Sequence, residues 1–474
     1  MLLAVAMQEE DKKHISEIFA RVLIELEELK KENAALKLEI SELQARLKSN
    51  SRNSSKPPSS DGYTKKPAFP KQSKGKKGGQ KGHKGKTLQQ IPNPDEIIKC
   101  LPTQCKCGHN LSNNRSDLSE KRQVFELPKT KLSVTEYQIH KTQCPKCGAE
   151  NKGKVPEGVN SPAQYGNHAK AFAVLLNTHY KLPFKKIQLL FNDLFGYSIN
   201  ESTIYTASKT CYDKLEKTEE IIKSRVASQK VAHADESGIR VNGSLHWLHV
   251  ATSTLYTYLF VHEKRGKEAL DSDKSILSDF KNWLVHDCWS SYFKYNGFNH
   301  AICGAHILRE LEALVESGNS KWAKTFKTFL LDIYSQPFEN RMTRKAITDS
   351  RYSRICQIGE RLEPPPIKIK GKKGRYKRTK GRNLVERLMR EKEAVLAFTF
   401  DKDVPFTNNL AERDIRPVKV KMKVSNCFRT FEGAEIYSRI ESFASTARKQ
   451  NRNIFQELCN TLNGNNFLTS PTPC

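Results

Sequence analysis

The sequence predicts a multidomain α+β protein, and three observations support this fold class. Apolar residues recur every seven positions through most of the first fifty residues, which is typical of a coiled-coil helix. Two close pairs of cysteines follow, which indicates a small metal-binding module. Further along, short apolar strands that end in aspartate indicate an α/β domain. A chain of 474 residues is long enough for about three domains.

The charge of the chain favours a polyanionic partner. Eighty Lys and Arg residues against 52 Asp and Glu residues leave a formal charge of +28. Such an excess indicates nucleic acid, with a membrane surface as the competing partner. No apolar stretch approaches the roughly 18 residues of a spanning helix. The opening MLLAVAM also lacks the basic flank and cleavage site of a signal peptide, so we expect no membrane partner.

Residues 10–49 are predicted to form a coiled-coil dimerisation helix. One heptad row, at d, contains Ile15, Val22, Leu29, Leu36 and Leu43. The second row, at a, contains Phe19, Leu26, Asn33, Ile40 and Leu47. A polar Asn at a favours two strands, and glutamates at g lie opposite lysines at e of a parallel partner. We therefore expect a homodimer, and the alternative is a single amphipathic helix that packs on its own chain.

Residues 50–92 are predicted to be a basic flexible linker. Pro and Ser in NSSKPPSS disfavour a helix, and KGKKGGQKGHKGK mixes Gly with Lys. Such a segment neutralises phosphates without reading bases. The lysines expected to contact DNA are Lys74, Lys76, Lys77, Lys81 and Lys84. The alternative is a linker that only improves solubility.

Residues 93–155 are predicted to form a zinc-binding module. Four soft ligands at this spacing suit a closed tetrahedral site for structural Zn²⁺, without catalysis. They are Cys105, Cys107, Cys144 and Cys147. The first pair has one intervening residue instead of two, so Cys100, His109 or His140 could replace a ligand. The stretch LSVTEYQIHKTQ between the pairs indicates strands, and reduced cysteines without metal are the alternative.

Residues 160–225 are predicted to be a helical segment of helix-turn-helix type. One helix covers Phe184–Phe195 and ends before Gly196. Ser198 and Glu201 have the spacing of a capping box that opens the next helix. Helix, short turn and capped helix is an arrangement found in DNA-binding proteins. Purely structural packing of these helices explains the pattern equally well.

Residues 226–460 are predicted to form an α/β domain with a ribonuclease H-like strand order. Three antiparallel strands begin at KVAHADESGIRV, and Asp235 lies on or just after the first. A fourth short strand ends at Asp287, and a fifth leads into a helix. In this order the first and fourth strands are neighbours, so Asp235 and Asp287 would meet. A helical insertion at about 310–405 contains the basic stretch Lys368–Arg382, which would contact DNA or remain a surface loop.

Paired carboxylates of this kind suit phosphodiester chemistry. Two Mg²⁺ (or Mn²⁺) ions about 3.5–4 Å apart activate the attacking oxygen and stabilise the leaving one. A third carboxylate usually completes the oxygen ligands, and the candidate is Glu412, on a helix that we expect TNN to begin and Pro417 to end. Glu236, Glu310 and Asp414 are rivals, and all these acids could be structural.

Six motifs in one order indicate a family. They are NSSKPPSSDG, the paired cysteines, HADESGIRV, VHDCWSSY, CGAHILREL and NNLAERDIRPVKVKMKVSNCFRTFEGA. Together they resemble the transposases of bacterial insertion sequence 66, over nearly the whole chain. The resemblance implies a ribonuclease H-like DDE domain in which Asp235, Asp287 and Glu412 bind the catalytic metals. It also implies that Cys303 and His306 form a C-x-x-H pair that shapes the site.

The resemblance further implies a DNA transposase that cleaves element ends and transfers the strand into target DNA. Five residues around Glu412 would hold DNA phosphates: Asn408, Asn409, Arg413, Arg416 and Lys419. Small accessory proteins of the same element are further expected partners, and the location would be the bacterial cytoplasm, associated with the nucleoid. The competing hypothesis is a dimeric zinc-containing DNA-binding regulator without catalysis.

Overall fold

The computed structural model describes residues 9–47, 50, 53–54, 88–128, 130–363, 365 and 378–469. The described residues belong to two compact units. The smaller lies within Pro70–Val159 and Leu190–Ser198, and the larger within Met1–Phe69, Asn160–Leu189 and Ile199–Cys474. No helix among the described residues is long and apolar enough to cross a membrane.

The N-terminal heptads form one continuous helix, α1 (Glu9–Leu47). Apolar side chains of both heptad rows are exposed in the single chain, for example Phe19 at 63% and Leu29 at 63%. Exposed apolar rows of this length are costly in water. The helix is therefore as expected, while its pairing with a second copy stays a prediction.

The smaller unit contains little regular structure. Strand β1 (Lys141–Gln143) pairs in antiparallel orientation with β2 (Glu150–Lys152). Strands were expected in LSVTEYQIHKTQ, and only its last three residues, Lys141–Gln143, form one, so the prediction is confirmed for β1 and wrong for the rest of the stretch. Val134 and Tyr137 are exposed, at 80% and 50%, so alternation in this stretch does not correspond to a buried sheet face.

Four helices lie between β2 and the next strand in the described part of the chain. They are α2 (Asn167–Val174), which continues as a π-helical turn through His179, α3 (Phe184–Phe195), α4 (Glu201–Lys214) and α5 (Glu216–Ala227). The expected bounds of α3 are confirmed. The predicted capping box at Ser198 was wrong, because Asn200 directly precedes α4 and its side chain accepts the N–H of Ser202 at 3.0 Å.

Five strands form a mixed sheet in the larger unit. They are β3 (Val231–Val241), β4 (Ser244–Thr252), β5 (Thr257–His262), β6 (Trp283–His286) and β7 (Asn299–Ile302). The order is β5-β4-β3-β6-β7, with β3 antiparallel to β4 and parallel to β6. The predicted adjacency of the first and fourth strands is therefore confirmed.

Ten further α-helices follow β5 in the described part of the chain. They are α6 (Lys267–Leu270), α7 (Gly304–Gly318), α8 (Lys321–Ser335), α9 (Phe338–Thr343), α10 (Lys345–Leu362), α11 (Lys380–Arg390), α12 (Lys392–Phe400), α13 (Asn409–Ser425), α14 (Phe431–Lys449) and α15 (Ile454–Leu462). Residues of α8 and α10 to α12 share one apolar core with Val285 and Ala301 of β6 and β7. The described part of the segment predicted as an insertion is thus helical and packs against this edge of the sheet, while residues 368–377 of its basic stretch lie outside the described residues.

Helix α13 packs on the sheet and does not end at Pro417, contrary to our prediction. Pro417 lies inside the helix, which continues to Ser425. Ile415 and Val418 are buried against residues of β3 to β5 such as Leu248. This apolar burial compensates for the backbone hydrogen bond that proline cannot donate.

Candidate metal centre

Asp235 and Asp287 meet where the β3–β6 ladder ends. Val231 to His233 of β3 pair with β6, so Asp235 lies just beyond the paired residues. Asp287 directly follows the last residue of β6. One oxygen of each carboxylate, and one of Glu236, lie within 4.8 Å of one another. The two aspartates predicted to share metals are therefore close in space.

The electrostatics of this pair favour a bound cation. Burial, and then the charge of Asp287, raise the pKa of Asp235 to about 6. Asp235 accepts the N–H of Glu236 at 2.9 Å, and Asp287 accepts the N–H of Trp289 at 3.0 Å. Despite these hydrogen bonds, the negatively charged oxygens of the Asp235 and Asp287 carboxylates repel one another. Hard oxygen donors under such repulsion fit Mg²⁺ or Mn²⁺.

Glu236 is a third carboxylate in this group, and sequence reasoning named it only as a rival. Its side chain is fully buried, and it accepts hydrogen bonds from the Tyr292 hydroxyl at 2.7 Å and from Arg265 at 3.3 Å. Burial, and then the charge of Asp287, raise the pKa of Glu236 to about 7. The available signal was a second acid directly beside Asp235 in the first strand of the predicted sheet.

The buried imidazole of His249 should make the stability of the protein depend on pH. His249 lies opposite Glu236 in the β3–β4 pair. Burial lowers its pKa to about 4, while an unfolded histidine titrates near pH 6.5. The unfolded chain therefore binds the proton first. The stabilisation is complete above pH 6.5 and is lost as the pH falls toward 4, by up to about 3 kcal/mol.

The variant His249→Phe tests this titration. The ring of His249 stacks on Phe260 at 4.8 Å, and a phenyl group can keep this packing. We expect a flatter dependence of the urea midpoint on pH between 7.5 and 4.5, measured by tryptophan fluorescence. His246→Phe, which replaces a half-buried histidine of the same strand, is the control. A slope unchanged in His249→Phe would contradict the assignment.

Glu412 belongs to an adjoining group. It lies in the first turn of α13, and its carboxylate, the Cys303 thiol and a His306 ring nitrogen lie within 4.8 Å of one another. Among the described residues, no group of this compactness joins Glu412 to both aspartates. The charge of Glu412 nevertheless contributes to the raised pKa of Asp235. Two of the three predicted ligands are therefore together, and the third lies within electrostatic reach.

Asn408 has a structural role, so the expectation that it holds DNA was wrong. It is fully buried, and its amide Nδ2 donates to the carbonyl of Ala234 at 2.7 Å. Its Oδ1 lies 2.9 Å from His233 Nδ1, and its backbone N–H donates to Cys303 Sγ at 3.1 Å. These bonds attach the start of α13 to β3 and to the residue before α7. They thereby determine where Glu412 lies.

The three cations of α13 that we expect at DNA are available to solvent. Arg413, Arg416 and Lys419 are exposed, and Arg416 lies 3.8 Å from Glu412. Lys419 lowers the pKa of Asp235 through its charge, so it lies on the side of the aspartates. The linker lysines lie outside the described residues: Lys74, Lys76, Lys77, Lys81 and Lys84.

Each cysteine pair of the smaller unit forms a tight turn. Gly108 donates to the Cys105 carbonyl and Gly148 to the Cys144 carbonyl, both at 2.8 Å, and both glycines have positive φ. Backbone N–H groups lower the pKa of Cys144 and Cys107, which favours thiolates. The described residues contain no compact group of three ligands from the two pairs. Thiolate donors fit zinc. In the described part of the chain, however, the two cysteine pairs do not meet in one compact site.

Comparison with known families decides the classification. The model of the "Transposase IS66 family" matches residues 162–436, which is more than half of the chain. The chain belongs to the IS66 transposase family. The "zinc-finger binding domain of transposase IS66" matches residues 102–148 of this transposase, which include all four paired cysteines and support zinc binding. A "Family of unknown function (DUF6444)" matches residues 5–89. A search of curated proteins gives no match.

Proposed function

We propose that this transposase cleaves DNA at the ends of its insertion sequence and joins the freed 3′ hydroxyl to target DNA. The proposal assigns Asp235, Asp287 and Glu412, in a ribonuclease H-like DDE domain over residues 226–460, to two Mg²⁺ or Mn²⁺ ions. The observation that carries it is the approach of Asp235 and Asp287 beside the end of the β3–β6 ladder. Two partly buried carboxylates so close together are unfavourable unless a cation or protons compensate them.

The residues have separate tasks in this chemistry. When bound, the ions activate the attacking oxygen and stabilise the leaving oxygen of an in-line displacement. Asp235 and Asp287 supply oxygen ligands from the sheet, and Glu412 supplies the third from α13. The carboxylate of Glu412 lies 3.5 Å from Arg309 and 3.8 Å from His306. Contacts this long are weak, so Glu412 can leave them at low cost.

Several basic segments bind DNA around this centre. Arg413, Arg416 and Lys419 neutralise phosphates next to the carboxylates, and the linker lysines do so outside the catalytic domain. Zn²⁺ orders the module that follows the linker, through Cys105, Cys107, Cys144 and Cys147. Cys100, His109 and His140 remain alternatives for one of the first two ligands.

A cleavage assay tests the catalytic proposal. The purified full-length chain is incubated with a plasmid that carries its gene and the flanking DNA, with Mg²⁺, with Mn²⁺ or with EDTA. We expect new 3′ ends at the element boundaries only with Mg²⁺ or Mn²⁺, mapped by sequencing. A chain that binds the flanking DNA but leaves both strands intact under every condition would instead be a regulator.

The apolar rows of α1 are proposed to pair two copies of the chain in parallel. Leu29→Asp places a charge in the d row, and burying it there is unfavourable by several kcal/mol. We expect the dimer dissociation constant to rise by at least about 100-fold, measured by light scattering during size-exclusion chromatography.

Ile24→Asp is the matched control for this prediction. Ile24 lies at position f, outside both rows, and is 60% exposed. The same substitution there should leave the dimer intact. Equal effects of Ile24→Asp and Leu29→Asp, or a monomeric wild-type chain, would contradict the parallel coiled coil.

A further inference from the structure

We infer that Cys303, His306 and Glu412 form a second cation site, specific for Zn²⁺ or a similar thiolate-binding ion, beside the two aspartates. One ligand atom of each residue lies within 4.8 Å of the others. Zinc bonds of about 2.0–2.3 Å require ligand atoms roughly 3.3–3.8 Å apart, so modest side-chain movements would close the site. Two of the residues are three positions apart at the start of α7, and the third comes from α13.

The backbone already places these ligands. Cys303 is the residue before α7 and is fully buried. Its sulfur accepts the N–H of Asn408, the residue before α13, at 3.1 Å. This bond joins the starts of the two helices, so the thiol and the Glu412 carboxylate are brought together by backbone positions. A site built in this way loses little side-chain entropy when an ion binds.

The protonation states also suit a thiolate-binding metal. Burial, and then the charge of Arg309, lower the pKa of His306, so its imidazole is neutral and can donate a lone pair. His306 Nδ1 is buried and has no hydrogen-bond partner among the described residues. Burial raises the pKa of Cys303, while the N–H groups of Asn408, His306 and Ala305 favour its thiolate. A divalent ion would displace the thiol proton.

The ligand set distinguishes this site from the carboxylate group. Sulfur and imidazole select Zn²⁺ over Mg²⁺, whereas Asp235, Glu236 and Asp287 offer only oxygen. Three protein ligands leave a fourth position open for water or another donor, as in zinc sites that are not purely structural. Arg309 at 3.5 Å and Arg416 at 3.8 Å compete for Glu412, but both contacts are long.

Occupation of this site would regulate the proposed chemistry, and this consequence rests on the proposed function. Glu412 cannot bind the thiolate-held ion and the Mg²⁺ pair with the same oxygen. Zn²⁺ at Cys303 and His306 would therefore hold Glu412 away from Asp235 and Asp287. We expect Zn²⁺ to inhibit Mg²⁺-dependent cleavage. Cys303→Ser should raise the Zn²⁺ concentration that halves cleavage about tenfold or more, with the cleavage of each protein normalised to its own rate without zinc.

Metal binding by itself tests the site without any cleavage. The full-length chain is purified with Zn²⁺, and we expect about two ions per chain, one in the cysteine module and one here. Cys144→Ser/Cys147→Ser should retain one ion, and its Co²⁺ form should show a thiolate-to-cobalt absorption band. Adding Cys303→Ser to that variant should abolish the band, whereas adding Cys427→Ser should preserve it.

The outcomes separate this inference from the proposed function. A module variant without Zn²⁺, or a cobalt band that survives Cys303→Ser, would overturn the second site. If Cys303→Ser does not fold, His306→Asn in the module variant should likewise remove the ion, and a retained ion would overturn the inference. If the wild-type chain binds the second ion yet never cleaves DNA, the site stands and the proposed function fails.

Discussion

Asp287→Asn is expected to lower Mg²⁺-dependent cleavage at the element ends by about 10³-fold or more. Loss of a carboxylate ligand removes several kcal/mol of transition-state stabilisation, and each 1.36 kcal/mol is tenfold in rate. Asparagine keeps the size of the side chain, and the exposed residues of α13 that we propose to contact DNA are unchanged. Binding of the element ends, measured by fluorescence anisotropy, should therefore be retained.

The same substitution should have an opposite effect on the metal-free protein. The charge of Asp287 contributes to the raised pKa of Asp235 and of Glu236, so its removal relieves repulsion within the group. We expect Asp287→Asn to melt at the wild-type temperature or above it without metal, and to lose the stabilisation that Mg²⁺ confers on the wild type.

Asp332→Asn is the control for this prediction. Asp332 lies on α8 with a side chain that is 55% exposed, 3.8 Å from Arg351. It should cleave DNA and respond to Mg²⁺ like the wild type. A wild-type cleavage rate in Asp287→Asn would exclude Asp287 from the metal centre.

Lys449→Ala is expected to lower the free energy of unfolding of the sheet domain by about 3–5 kcal/mol. Lys449 is the last residue of α14, and its ammonium lies 2.6 Å from Asp414 of α13 and 2.6 Å from Thr252 of β4. Side-chain exposures of 12% and 7% show that the ion pair is largely buried. Without the lysine, Asp414 would remain as an uncompensated buried charge.

Urea unfolding followed by tryptophan fluorescence measures this loss. The four tryptophans all report the larger unit: Trp247, Trp283, Trp289 and Trp322. Lys209→Ala is the control, because Lys209 pairs with Asp213 at 2.6 Å on the surface of α4, and an exposed ion pair of this kind contributes little to stability. The double variant Lys449→Met/Asp414→Asn should recover part of the stability. Equal effects of Lys449→Ala and Lys209→Ala would show that burial of the first pair is unimportant.

The strands and the helix α1 could be predicted because their signals are local. The alternation in β3, the Asn242-Gly243 turn that follows it and the heptads of α1 each depend on a few neighbouring residues. Predictions failed where packing outweighed a local preference. Pro417 should end a helix, yet α13 continues because its apolar residues are buried on the sheet. Asn408 was expected at DNA because it is near Glu412 in the chain, and it is buried because β3 and Cys303 supply its hydrogen-bond partners.

The sequence by itself determined the family, the positions of the strands along the chain and the types of ligand available for metals. These follow from residue identity and short-range periodicity, which do not depend on how distant segments meet. Only the tertiary structure decided that Glu236 joins Asp235 and Asp287, and that Glu412 lies with Cys303 and His306. These groupings depend on where the β3–β6 ladder ends and where α13 begins. Both depend on contacts between residues far apart in the chain, which no local pattern encodes.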